Sequence, residues 1–351
     1  MKIIFAGNTG VAEREHRVIA LTTYRLFSYY FIAQNLFNSA DMMDIAKRKV
    51  DLFLDSGAFS AWSQGVEINI NDYINFIKEH KEVIDIYANL DVISGSKIGN
   101  ETSAKQTLEN QKIMEKAGLS PLPTFHYGEP VKYLKHYLKN YDYIALGGMV
   151  PISNKQLVPW LDDLFGNYIC DKKGIPKVKI HGFGLTSLKL MLRYPWYSVD
   201  STSWVVTGRM GSIMVPRYKS GKWIYDENSW KVSVSSRSPG IKDDPEHIDN
   251  ISPLQKKIIL EYINAKGYKL GKSSFKKVPQ QQKLAINQRW AEKKPKDNTE
   301  YRLVEIIEEE GVSNRYQLRD EMNIIYYQDL EKSMPKWPWP FVQQNKTKTL
   351  F

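Results

Sequence analysis

Three aspartates, each at the carboxyl end of an apolar run, are the residues of this chain best placed to do chemistry. They are Asp55 in VDLFLDSGAFS, Asp91 in IYANLDVIS and Asp200 in WYSVDSTSW. A carboxylate that ends a buried strand loses its hydration, and the cost is met by partners or justified by function. A set of carboxyl groups is the equipment for substitution at a sugar carbon, with one as nucleophile and another as general acid and base. Gly57 and Ala58 keep the loop after Asp55 small enough for N–H groups to approach a ligand, and Phe59 offers a flat apolar face. The competing reading is a strand-ending turn in which Asp55 caps a helix. Gly147 and Gly148 in IALGGMVP suit backbone contact with a ligand, or a packing requirement. His181 in KIHGFGL can be a base, a sugar-binding donor or a satisfied core histidine. His126 and Tyr127 in FHYGEP either read a base edge or line the mouth of a site, and Arg209 in VVTGRMG is a phosphate contact or a surface arginine.

These residues need a frame that brings them to one edge. Short apolar or β-branched runs at 2–6, 51–55, 84–91, 122–126, 143–149, 177–182 and 197–200 alternate with helical patterns such as INDYINFIKEHKEV and PVKYLKHYLKNY. That rhythm belongs to a parallel α/β fold. Seven strands, with an eighth at 212–216 or 230–234, predict a TIM-like (β/α)8 barrel, whose site lies at the carboxyl ends of its strands. An open doubly wound sheet would gather the same ends on one edge. The barrel is expected over residues 1–265, with a hairpin and loop insertion at about 205–250. A basic, mainly helical C-terminal extension is expected over 266–351, with YRLVEIIEEE and NRYQLRDEMNIIYYQDLEKS as helices.

Composition narrows the class. The chain has 351 residues, 42% of them hydrophobic, and no apolar run of membrane-spanning length, which predicts a soluble protein with no membrane partner. The opening MKIIFA is too short for a secretory signal, so a cytoplasmic location is expected. Cys170 is the single cysteine, which excludes an intrachain disulfide and a thiolate metal cluster; no metal and no cofactor are expected. The net charge of +10, from 49 Lys and Arg against 39 Asp and Glu, favours a polyanionic partner. Between residues 266 and 296 the cations crowd together, with Glu292 the one acid among them. Lys272, Lys276, Lys277, Lys293 and Lys294 are candidate nucleic-acid contacts, interleaved with Tyr268, Phe275 and Trp290 for stacking; a solvated charged surface is the alternative.

The motifs DSGAF, NLDVI, FHYGEP, IALGGMVP, KIHGFGL and SVDSTSW occur in the order of a known family. Over roughly residues 53 to 209 the chain resembles the tRNA-guanine transglycosylase superfamily. It resembles more closely the DNA-acting branch, the DpdA-type DNA-guanine transglycosylases that place 7-deazaguanines in bacterial and phage DNA. The resemblance implies that Asp200 is the nucleophile at the anomeric carbon and Asp55 the general acid/base. It implies that Phe59 stacks on the base, Asp91 accepts from the pyrimidine edge of guanine, and Gly147 and Gly148 contact the base through their backbone. At FHYG the sequence departs from the family's glutamine-containing VQGG, so His126 and Tyr127 stand where that motif would be. The implied partners are DNA with a flipped-out or single-stranded guanine and a free 7-deazaguanine base such as 7-cyano-7-deazaguanine. The family's tRNA enzymes carry a cysteine-rich zinc motif after the nucleophile, whereas the one cysteine here precedes Asp200, so DNA is expected in preference to tRNA. A phage origin would place the protein in the host cytoplasm. The alternatives are a zinc-free tRNA-guanine transglycosylase, a non-catalytic nucleic-acid-binding barrel, and a hydrolytic barrel that releases base without inserting another.

Overall fold

The computed structural model describes residues 1–7, 12–34, 39–93, 99–185, 187–237, 244–291 and 300–343. It forms two compact units, one of Met1–Thr202 together with the stretch from Glu331, the other of Ser203–Leu330.

The first unit is α/β. Its strands are β1 (Lys2–Ala6), β2 (Tyr24–Ser28), β3 (Asp51–Asp55), β4 (Ile86–Tyr87), β5 (Thr124–His126), β6 (Tyr143–Gly147), β7 (Lys179–Gly182) and β8 (Ser198–Ser201). They form one parallel sheet in the order β4-β3-β2-β1-β8-β7-β6-β5. The two end strands are joined by a parallel bridge between Ala88 and Leu122, where the Leu122 N–H donates to Tyr87 (2.8 Å) and the Asn89 N–H donates to Leu122 (3.0 Å). Backbone hydrogen bonding therefore runs round all eight strands of the curled sheet, consistent with a TIM-like fold. The helices are α1 (Ala12–Leu21), α2 (Tyr29–Ala33), α3 (Ser39–Arg48), α4 (Ala58–Ser63), α5 (Ile70–Glu79), α6 (Glu101–Lys116), α7 (Val131–Asn140), α8 (Asn154–Leu164, running into a π-helical turn at Phe165–Ile169) and α9 (Leu188–Arg193).

Alternation along each strand divides the core into two layers. Ile4, Ala6, Leu26, Phe53, Ala88, Leu122 and Ala145 pack together inside the curl. The opposite faces, among them Phe27, Leu52 and Leu54, pack against Ile19, Ile45, Tyr73, Ile77 and Met114 of the helices. The helices start where short polar residues supply caps: Asn69 accepts from the N–H groups of Asn71 and Asp72, and Asn100 with Ser103 forms a reciprocal capping box.

The eighth strand is not where the sequence pattern put it. It is β2, and 212–216 and 230–234 lie in the other unit as an antiparallel pair, β9 (Ser212–Val215) with β12 (Trp230–Ser233). Arg25 hides β2, because a central arginine reads as polar. Yet it is fully buried, donates to the carbonyls of Phe5 (2.8 Å) and Gly7 (2.7 Å), and pairs with Glu15.

The second unit holds α10 (Ser203–Arg209), β9, the hairpin β10 (Arg217–Lys219) and β11 (Lys222–Ile224), β12, α11 (Pro253–Ala265), β13 (Lys272–Pro279), β14 (Gln288–Trp290), β15 (Tyr301–Glu309) and α12 (Tyr316–Ser333), whose last turn belongs to the first unit. Its core joins Ile213, Val215 and Val232 of the β9/β12 pair to Ile259, Tyr262 and Ile263 of α11 and Met322 of α12. Two expectations are corrected here. The basic region is not mainly helical: β13, β15 and β14 form an antiparallel sheet, and YRLVEIIEEE is β15. Glu305, at its centre, is fully buried and accepts from Arg289 (2.7 Å) and Ser236 (2.6 Å), so pairing across the sheet overrides the local helical pattern. The division expected at residue 265 falls inside this unit, because α11 shares its core with β9 and β12.

The chain after Glu331 returns to the first unit. The Glu331 carboxylate accepts the Ile3 N–H (2.8 Å), Trp337 donates to the Pro195 carbonyl (3.1 Å), and the Phe341 N–H donates to Gly174 (2.8 Å). The Phe341 ring stacks on Tyr194, 5.4 Å between centroids. No helix among the described residues is long and apolar enough to cross a membrane.

Candidate active site

The parallel register places the chemistry. On β8, Ser198 and Asp200 share the inner face; Ser198 lies opposite His181 of β7, which lies opposite Ala145 of β6. Ala145 and Gly147 in turn lie opposite Thr124 and His126 of β5. The carboxyl ends of these strands open on a cavity of about 290 Å³ whose wall includes Asp55, Phe59, Asp91, His126, Gly147, Gly148 and Asp200. All three sequence-predicted aspartates thus meet at one site. Phe59, on the first turn of α4, is 48% exposed, with Trp62 one turn further at 5.8 Å between ring centroids and also in the wall.

Gly147 and Gly148 make the floor by having no side chain. A Cβ at Gly147 would lie 2.9 Å from Cδ2 of His126, and Gly148 has φ +68°.

His126 is held between two carboxylates. Its Nε2 is 2.9 Å from Oδ2 of Asp91, and its Nδ1 is 3.0 Å from Oε1 of Glu129, whose other oxygen accepts the His126 backbone N–H at 3.0 Å. Burial by itself would lower the pKa of His126, but hydrogen bonds and charge from Asp91 and Glu129 prevail and raise it from 6.5 to about 10. The ring is therefore an imidazolium at neutral pH, donating from both nitrogens. Burial would likewise raise the pKa of Asp91; His126, with the Ser56 hydroxyl donating to Oδ1 at 2.9 Å, outweighs it and holds Asp91 below the ordinary carboxylate value.

Asp55 has the opposite fate. Burial, then the negative charge of Asp91 and of Asp200, push its pKa from 3.8 to about 8, against the smaller help of the Gly57 and Ser56 N–H groups. It is protonated at neutral pH while Asp91 is ionised. Neighbouring carboxyl groups with their titrations driven apart are the arrangement that divides acid from base. Asp200 accepts the Gly184 N–H on Oδ1 at 2.7 Å, which fixes its rotamer with one oxygen occupied.

Two of the expected substrate contacts are placed away from the cavity wall. His181 is fully buried behind Asp200, against Phe53 (4.9 Å between ring centroids) and Phe183 (4.6 Å), and is not part of the cavity wall. Tyr127 turns its ring edge-on to Trp160 at 5.2 Å and contributes no side chain to that wall. The sequence reading also missed Glu129, Ser56, Trp62 and Gly184. Glu129 and Trp62 carried a signal, each standing three residues after a named candidate; the other two act by a hydroxyl and a backbone N–H that only the fold aims.

The remaining candidates belong to the second unit. Arg209 is exposed at the end of α10, and Lys272, Lys276 and Lys277 are exposed on β13, with Lys272 paired to Glu308 at 2.9 Å. Lys293 and Lys294 lie outside the described residues. Among the described residues, no group of three or more His, Cys, Asp or Glu side chains is arranged to hold a metal ion. No family model matches the chain, nor does any curated protein or solved structure.

Proposed function

We propose that this chain is a base-exchange enzyme, a DNA-guanine transglycosylase that replaces guanine in DNA with a free 7-deazaguanine base. The observation that carries the reading is the split protonation of one cavity: Asp55 holds a proton up to about pH 8 beside an Asp200 fixed by one oxygen. Attack by Asp200 on the anomeric carbon forms the carboxylate–sugar bond and breaks the glycosidic bond, whose electron pair leaves on the guanine nitrogen as Asp55 delivers its proton. The incoming base then returns that proton to Asp55 as its nitrogen attacks the same carbon and releases Asp200. Two displacements retain configuration. Ionised Asp91 offers only acceptors, which suits the ring N–H and exocyclic amine of a guanine-type edge. Phe59 and Trp62 supply aromatic faces for a base taken out of its stack.

The preference for DNA rests on the motif resemblance and on the single cysteine, where the family's tRNA enzymes carry a zinc motif. Lys276 and Lys277 of β13 are the proposed backbone contacts. The test is nucleoside mass spectrometry of DNA and tRNA from cells expressing wild type or Asp200→Ala, fed labelled 7-deazaguanine base. Label in DNA that disappears with Asp200→Ala is the expected result. Label in tRNA alone overturns the choice of nucleic acid, and guanine release without insertion makes the protein a hydrolase.

A further inference from the structure

Behind the proposed nucleophile runs a buried chain of polar groups that no step above uses. The Tyr143 hydroxyl lies 2.6 Å from Oγ of Ser198, and that Oγ lies 2.7 Å from Nδ1 of His181. The other ring nitrogen, Nε2, is buried with no partner at hydrogen-bonding geometry among the described residues, and it faces Oδ1 of Asp200 at 3.4 Å. The four residues come from β6, β7 and β8, all on the inner face fixed by the sheet register.

The direction of the protons follows from the ends of this chain. A bare Nε2 lone pair facing a carboxylate oxygen at 3.4 Å would be repulsive, so Nε2 carries the hydrogen. In a ring with that one hydrogen, Nδ1 is an acceptor and takes the Ser198 hydroxyl hydrogen, which leaves Oγ to accept from Tyr143. Every donor in the chain points towards Asp200.

We infer that His181 is a positioning residue for Asp200, locked by Ser198 and Tyr143 as the neutral Nε2–H tautomer. Together with the Gly184 N–H, its Nε2–H marks Oδ1 as the held oxygen and leaves Oδ2 to attack. In the first displacement the Oδ2–sugar bond forms and Oδ1 becomes the ester carbonyl. In the second, the Oδ2–sugar bond breaks and its electron pair returns to the carboxylate, whose restored charge is shared onto Oδ1 beside the two donors. The contact at 3.4 Å shortens as that charge develops, as hydrogen bonds of a resting site do on the way to the transition state.

This inference rests on the exchange chemistry proposed above, so the experiment reads it in two independent ways. The first is the ¹⁵N spectrum of the protein with labelled histidine, His181 being assigned from the signal lost in His181→Gln. A neutral Nε2–H tautomer at neutral pH that becomes a mixture in Ser198→Ala is the expected result; an Nδ1–H tautomer or an imidazolium overturns the relay whether or not the protein exchanges bases. The second is kinetic. His181→Leu should lower kcat by about 100-fold with KM little changed, as loss of a charge-stabilising donor does. His181→Gln, which keeps a donor near Nε2, should recover most of that loss. Adding Ser198→Ala to His181→Leu should cost nothing further, because the two act as one unit. A His181→Leu protein that folds and keeps kcat within twofold of wild type overturns the positioning role while leaving the exchange reaction standing. A wild type that exchanges no base overturns the reaction itself, a result the tautomer measurement does not depend on.

Discussion

Asp55 and Asp91 line one cavity, and one neighbour sets them apart: Asp91 has the His126 imidazolium at 2.9 Å, whereas the hydrogen bonds that Asp55 accepts among the described residues come from backbone N–H groups. The consequence for rate is an alkaline limb. In the proposed exchange Asp55 must be protonated to release guanine, so kcat/KM should fall above about pH 8. Asp55→Asn should remove that limb and lower the rate by about 10²–10⁴-fold. The consequence for stability has a definite sign. His126 has a folded pKa of about 10 against 6.5 unfolded, so its contribution is complete below about 6.5 and is lost as pH rises towards 10. Asp55 acts in the same direction between about pH 4 and 8, since its folded form binds the proton more tightly than the unfolded chain. Asp91, with its pKa lowered, opposes them only in acid. Thermal denaturation should therefore show Tm falling between pH 7 and 10. In His126→Gln the slope over that window should shrink, with about 3–5 kcal/mol of stability lost at pH 7 because Asp91 and Glu129 are left buried without their cation. An unchanged slope would mean that His126 does not carry the charge. At this scale the sequence was legible where a residue ends an apolar run, as the three aspartates do. Glu129 was legible only in part: its place three residues after His126 is a signal, but nothing in FHYGEP says that it turns back to the ring.

Elements were legible where local pattern and tertiary pairing agree. The strands β1, β3, β6 and β8 are apolar runs bounded by polar turns, and they fell where the pattern put them. β2 failed because its core position holds Arg25, and because α2 follows it without a break. β15 failed because its apolar residues sit at helical spacing while Arg289, from a neighbouring strand, buries the charge of Glu305. Strand β6 carries the element-level prediction. Gly147→Ala places a Cβ 2.9 Å from the His126 ring and 3.1 Å from Cγ2 of Thr124, so β5 and β6 must part slightly at the floor of the cavity. Overpacking of this kind costs about 1–3 kcal/mol. The substitution should raise KM for the free base about tenfold or more while far-UV circular dichroism stays that of wild type; an unchanged KM would remove the floor from base binding.

At the scale of the molecule, the charge excess is less concentrated than its one-dimensional run suggests. Lys269, just before β13, and Lys272, its first residue, are answered by Glu309 and Glu308 of β15, whereas Lys276 and Lys277 are opposite Val304 and Leu303. Replacing both Lys276 and Lys277 by Glu should weaken DNA binding and reduce the slope of log affinity against log salt by about 2. A slope equal to that of wild type would make the strand a solvated surface. The fold class was readable from the alternation of elements, but the two-unit division was not. It depends on α12 handing the chain back, and no local pattern announces a return.

That return sets an order of events. The chain leaves the first unit after Thr202 and comes back only at Glu331, so Ser203–Leu330 is inserted within the sequence of the unit that houses the cavity. Phe341, 7% exposed against Tyr194 and Phe165, is among the last described residues to find its place; Phe341→Ala should cost about 3–5 kcal/mol in denaturant unfolding. On a ribosome, Asp55, Asp91 and Asp200 emerge before the inserted unit is made, whereas Phe341, which packs on Tyr194 and Phe165, emerges only after it. Whatever chemistry the cavity performs, vectorial synthesis finishes the inserted unit before the packing of Phe341 on the unit that houses the cavity can be completed.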